Sequence, residues 1–180
     1  MSGSPFYDTD ALGEIANNLF YGWGYNFYRL ENQLRADDQM VRSRAGLLLG
    51  QARASVEQAE TEFRREHLPA PTRANPYPDP AAVERAQTLE RVVRAIGAVA
   101  SRLQSLPTPE NDRMTERYRG EAETLVALGD CDRRLIGQSE TLRAAVAGQS
   151  AAAILEGLAL LNDGVAALEE TLRQRQMILA

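Results

Sequence analysis

The feature that most constrains this chain is an apolar stripe of helical period. It starts at Leu12 and runs through Ala16, Leu19, Trp23, Phe27, Leu30 and Leu34. With Asp38 standing in one core position, it continues through Val41, Ala45, Leu48, Ala52, Val56, Ala59 and Phe63. Fourteen steps cover 51 residues, about 3.6 per step, which is the period of a straight α-helix and not of a strict heptad. The phase survives Gly22 and Gly24, so the stripe predicts one very long N-terminal helix, roughly 80 Å at 1.5 Å per residue. That is longer than a domain of this size is wide. Its first half therefore either stands partly clear of the rest or folds back as a fifth helix, with Gly22/Gly24 and Asp37-Asp38 as the breaking points.

The same stripe carries an aromatic cluster, Phe20 to Tyr28, in which six of nine residues are aromatic. At 100° per residue, Phe20, Trp23 and Phe27 fall on the core-facing stripe, and Tyr21, Tyr25 and Tyr28 fall on a second stripe beside it. The first three are expected in the core. The tyrosines, with an apolar body and a polar tip, suit either the flank of the core or a protein–protein contact.

Three more helices follow. After His67, five prolines between Pro69 and Pro80 remove N–H donors and fix φ, which makes residues 69–80 an extended connector. Tyr77 within it is placed to pin the connector to the bundle. Asp79-Pro80 is a helix start, an acidic cap followed by proline at the first helical position. Ala82, Ala86, Leu89, Val93, Ile96, Ala100 and Leu103 then step alternately by four and three, a heptad seam. Thr108-Pro109 repeats the start device, and a third helix to about Ala147 turns in Met114, Tyr118, Ala122, Leu125, Leu128, Leu135, Leu142 and Val146. Asp132 and Ser139 fall on or near that stripe and weaken it. Gly148 closes this helix and Ser150 caps a fourth, which runs to about Ile178 with Leu155, Leu158, Leu161, Val165, Leu168 and Leu172 inward. No segment alternates with period two, so the fold class is all-α: an antiparallel helical bundle of four helices, possibly five, with one very long N-terminal helix. Residues 1–8 are expected as a flexible tail, with Thr9 or Asp10 capping the first helix. Residues 9–180 form a single helical-bundle domain.

Composition excludes several functions. A formal net charge of −5 offers no basic surface for nucleic acid. The most apolar stretch, Ala151 to Leu168, is broken by Glu156, Asn162 and Asp163 and is too short to insert in a bilayer. All twenty basic residues are arginine, so no P-loop lysine exists. His67 is the single histidine and has Arg64 three residues before it, so the Glu-x-x-His pairs of a di-iron bundle are missing. It reads as a solvent-exposed or capping residue. Cys131 is the single cysteine; standing between Asp130 and Asp132, it is expected to have a raised pKa and to be dull as a nucleophile. Carboxylate pairs such as Glu57/Glu60, Glu121/Glu123 and Glu169/Glu170 lie beside arginines and read as solvated, i,i+4-paired surface.

These observations lead to no catalytic residues, no metal and no cofactor. The expectation is a non-enzymatic α-helical interaction protein: an adaptor, assembly or accessory subunit that binds a protein partner, a second copy of itself, or both. Its partner-binding residues are Phe20, Tyr21, Trp23, Tyr25, Phe27 and Tyr28. Its setting is cytoplasmic, without nucleic acid and without membrane insertion. The alternative is a bundle that binds a flat or apolar cofactor in a pocket lined by residues 20–28.

Overall fold

The structure is a computed structural model that describes residues 4–23, 34–73, 76–106 and 122–179, with backbone alone at 34–39, 122–126 and 179. It is all-helical among the described residues. The helices are α1 (Thr9–Gly22), α2 (Leu34–His67), α3 (Pro80–Ser105), α4 (Ala122–Val146), α5 (Ala151–Glu156) and α6 (Leu158–Leu179). They pack against one another, α2 on α3 and α4, and α4 also on α1 and α6. No helix is long and apolar enough to cross a membrane among the described residues.

The contacts between α2 and α3 fall in antiparallel order. Arg42 donates to the carbonyl of Leu106, and Gly46 faces the Gln104 side chain. Arg53 lies against Gly97, and Arg64 pairs with Glu90. α3 begins as its sequence predicts, with the Ala81 N–H donating to Asp79 Oδ1 at 3.1 Å and Pro80 in the first turn. Its buried face differs from the strict seam. Val92 and Val99 are the buried members, while Val93 and Ala100 pack at the edge of the core. A helix meeting neighbours on two sides buries a stripe wider than a two-position seam.

The predicted helix from Leu12 to Phe63 corresponds to α1 and α2, with residues 24–33 outside the described residues. The Arg44 guanidinium carbon lies 4.5 Å from the centroid of the Trp23 ring. Twenty-one residues of straight helix would hold these two about 31 Å apart. Trp23 and Arg44 therefore do not belong to one straight helix, and α1 lies on α4 with Leu12, Ala16 and Phe20 buried. Asp37-Asp38 breaks nothing, since both residues lie within α2.

Residues 4–8, the part of the expected tail that the structure describes, carry the fully buried Phe6. The Phe6 ring sits where a Cβ on Gly164 would be, 2.6 Å from its Cζ, and its carbonyl accepts from Gln138 Nε2 at 3.0 Å. Gln138 in turn accepts from Thr171 Oγ1 at 2.9 Å, which joins the N-terminal segment, α4 and α6 in one satisfied polar chain. The cap of α1 is Asp8 and not Thr9 or Asp10: its Oδ1 accepts from the Ala11 N–H at 3.0 Å.

The two polar residues on the α4 stripe are both buried. Ser139 donates to the Leu135 carbonyl at 2.7 Å, and Asp132 accepts from Arg175 Nε of α6 at 2.8 Å. The predicted fourth helix is present as α5 and α6, which meet at Gly157. The Gly157 N–H still donates to Ala153, and its carbonyl still accepts from Leu161. Ser150 caps α5 through the Ala153 N–H, and Gly148, at φ +66°, ends the turn after α4 in the left-handed region.

Candidate functional site

The aromatic end of α1 is built by one helix face and its last turn. Leu12, Ala16 and Phe20 recur at spacing four and are buried on α4. That seating fixes the roll of the helix and thus the direction of every neighbouring side chain. Tyr21, one residue past Phe20, is rotated about 100° from the core and is 87% exposed. The helix stops at Trp23, whose N–H donates to the carbonyls of Leu19 and Phe20 at 3.0 and 3.2 Å.

The Trp23 ring is half-buried. It meets Phe20 edge-on, with centroids 5.4 Å apart and planes at 75°, the arrangement that aromatic quadrupoles favour. Its face is covered by the Arg44 guanidinium of α2 at 4.5 Å, a cation–π contact. A buried ring, a ring held under a cation, and a ring in solvent thus follow within four residues. Among the described residues, this end of α1 carries apolar area, a phenol hydroxyl and a positive charge.

Of the predicted partner-binding residues, Phe20 is in the core, Trp23 is at its edge and Tyr21 faces solvent. Tyr25, Phe27 and Tyr28 lie outside the described residues. Arg44 was not legible as part of this end. It is 21 positions from Trp23, on another helix, and no local periodicity links the two.

The remaining chemistry-bearing residues are dispersed. His67 is exposed and stacks on Phe63, ring centroids 4.3 Å apart, with Nδ1 3.2 Å from the Phe63 carbonyl oxygen. Cys131 is buried, and Arg134 Nη2 donates to its Sγ at 3.2 Å. Burial is the main cause that pushes the Cys131 thiol above its ordinary pKa. Arg134 opposes the shift and Asp132 adds only modestly to it, so the expected direction holds through desolvation more than through flanking acids. Glu57 pairs with Arg53 at 2.7 Å, Glu60 with Arg64, and Glu170 with Arg173 at 2.7 Å, as surface pairs within single helices. Glu121 and the Glu123 side chain lie outside the described residues.

Among the described residues, no group of three or more His, Cys, Asp or Glu is arranged to hold a metal ion. A cavity of about 550 Å³ lies at the far end of α2, and one of about 450 Å³ lies between α4 and α6. None of residues 20–23 lines either. Tyr77 does not pin the connector: it is 87% exposed.

The chain matches no family model, no curated protein and no solved structure.

Proposed function

We propose that this chain is a non-enzymatic interaction protein, an adaptor, assembly factor or accessory subunit, whose partner is another protein or a second copy of itself. The observation that carries this reading is Tyr21, a large aromatic side chain in solvent on a helix end fixed by the buried Phe20. Tyrosine gives contact area and a hydrogen bond for few rotatable angles, and a rigid mount lowers the ordering cost of binding. The Trp23 edge, under Arg44, lies at the same end of α1 but two residues on, toward the other side of the helix, and adds a second patch of residue types favoured at interfaces. In this reading α2, α3, α4 and the α5–α6 segment form an antiparallel four-helix bundle, α1 is a fifth helix, and the protein works in the cytoplasm.

The test is the solution mass and shape of the chain, from light scattering with small-angle scattering, and pull-down from the native host. Each is run on the wild type, on Tyr21→Ser, and on the triple variant that adds Tyr25→Ser and Tyr28→Ser. The expected result is an assembly above the 19.8 kDa of one chain, or a retained partner, that weakens in the variants while helicity stays constant. A compact monomer throughout, with the same proteins retained by every variant, overturns the reading.

A further inference from the structure

The end of the molecule built by His67 and the start of α5 carries a concave surface that the Tyr21 surface does not use. The last turns of α2, the first turns of α3 and the first turn of α5 meet there around a cavity of about 550 Å³. That volume lies in the range of small-molecule sites. The space follows from the sequence: Ser150 opens α5 onto Ala151 and Ala152, whose methyl groups leave room that longer side chains would fill.

The cavity has an apolar floor and a charged rim. Ala59 and Phe63 are buried in its floor, with the half-buried Leu155 beside them. Phe63 and His67 stack nearly parallel, 11° apart, and make a flat aromatic wall. Around it stand three carboxylates, Glu62, Glu66 and Glu156, against one guanidinium, Arg85. Elsewhere on α2 and α3 carboxylates are neutralised by an arginine one turn away, as in Arg53–Glu57, Arg64–Glu60 and Arg94–Glu90. Here, among the described residues, Glu62 has only the neutral Gln58 amide, at 3.1 Å. Among the described residues neither Glu66 nor Glu156 forms an ion pair.

We propose that this cavity binds a small organic cation, an ammonium group on a compact aromatic or apolar body. The body lies against Phe63 and Leu155, which supply the area removed from water. The ammonium sits among Glu62, Glu66 and Glu156, and the aromatic wall adds cation–π attraction. Arg85 works against a cation, but the balance of three carboxylates to one guanidinium selects ammonium over carboxylate as the head group.

The test uses the full chain, labelled with ¹⁵N, and three probes of one shape: phenethylamine, 2-phenylethanol and phenylacetate. Amide shifts are followed at neutral pH. The expected result is binding of the amine on the order of ten millimolar or tighter, the range for ligands of this size. The alcohol should bind more weakly and the acid most weakly, with shifts confined to residues 59–67, 85 and 150–156. Glu66→Gln combined with Glu156→Gln should weaken the amine roughly three- to tenfold and leave the alcohol unchanged. Glu84→Gln, an exposed change outside the cavity, should leave both unchanged. Equal binding of amine and alcohol, preference for the acid, shifts elsewhere, or no binding by any probe overturns the proposal.

Discussion

Arg175 reaches across from α6 to donate to Asp132 Oδ1 at 2.8 Å, and both residues are buried. A pair removed from water has lost much of its hydration, so its worth depends on both partners being present. Asp132→Asn or Arg175→Met alone is expected to lower stability by about 3–5 kcal/mol, because each removes one member of a buried charged pair. Asp132→Leu with Arg175→Met should cost far less than the two single losses added together. Urea unfolding of the four proteins as a double-mutant cycle checks this, and strict additivity would count against a coupled pair.

Two helix glycines are predicted to respond oppositely to alanine. A Cβ at Gly137 would lie 2.5 Å from the Leu12 carbonyl oxygen, a backbone atom that cannot move aside alone. Gly137→Ala should therefore destabilise by about 1–3 kcal/mol. Gly50, in the interior of α2, has open space at its Cβ position. There alanine should stabilise by about 0.5–1 kcal/mol, by removing unfolded-state freedom. Denaturant midpoints of the two variants against the parent show whether the signs differ.

Arg44→Gln should be visible in fluorescence, since Trp23 is the single tryptophan. Loss of the guanidinium from its face should expose the ring and shift emission to the red. The stability cost should be about 0.5–1 kcal/mol, the range for a partly exposed cation–π contact. An unchanged spectrum would mean that the ring is held by Phe20 alone.

Cys131 gives a pH prediction with a definite sign. Burial raises its pKa above the ordinary 9.0, so above that pH the unfolded chain loses a thiol proton that the folded chain keeps. The thiol's contribution is fully present below pH 9.0 and falls as pH climbs toward the raised value. Cys131→Ser should flatten this alkaline loss when stability is measured between neutral and alkaline pH. In the native protein, the thiol should react with a disulfide reagent much more slowly than after unfolding.

Local signals carried most of the helices. The Asp79-Pro80 start, the Ser150 cap and the Gly148 stop each depend on a few consecutive residues, and each stands where the chain indicates. What depended on partners far along the chain was not legible. Asp132 read as a flaw in its stripe because Arg175 lies 43 residues on. Phe6 read as tail because its seat is a missing side chain on Gly164, and a glycine inside an alanine-rich helix gives no sign of what fills the space above it. The 3.6-residue phase carried across Gly22 and Gly24 likewise gave no warning that Trp23 would lie under Arg44. Periodicity records which way a side chain points along a helix, and says nothing about whether the axis turns back. At the aromatic end, rotation placed Phe20 and Tyr21 on different faces, inward and outward.

The seat of Phe6 also sets a schedule for making the protein. Its carbonyl meets Gln138, 132 residues later in the chain, and Gly164 and Thr171 are later still. Ribosomes add about 5–20 residues per second, so roughly 10–30 s separate the synthesis of Phe6 from that of Thr171. During that interval Phe6 lacks its seat, and Leu12 and Phe20 lack theirs until α4 has been made. The stretch from Phe6 to Phe20 is thus apolar surface whose seats are synthesised only later in the chain.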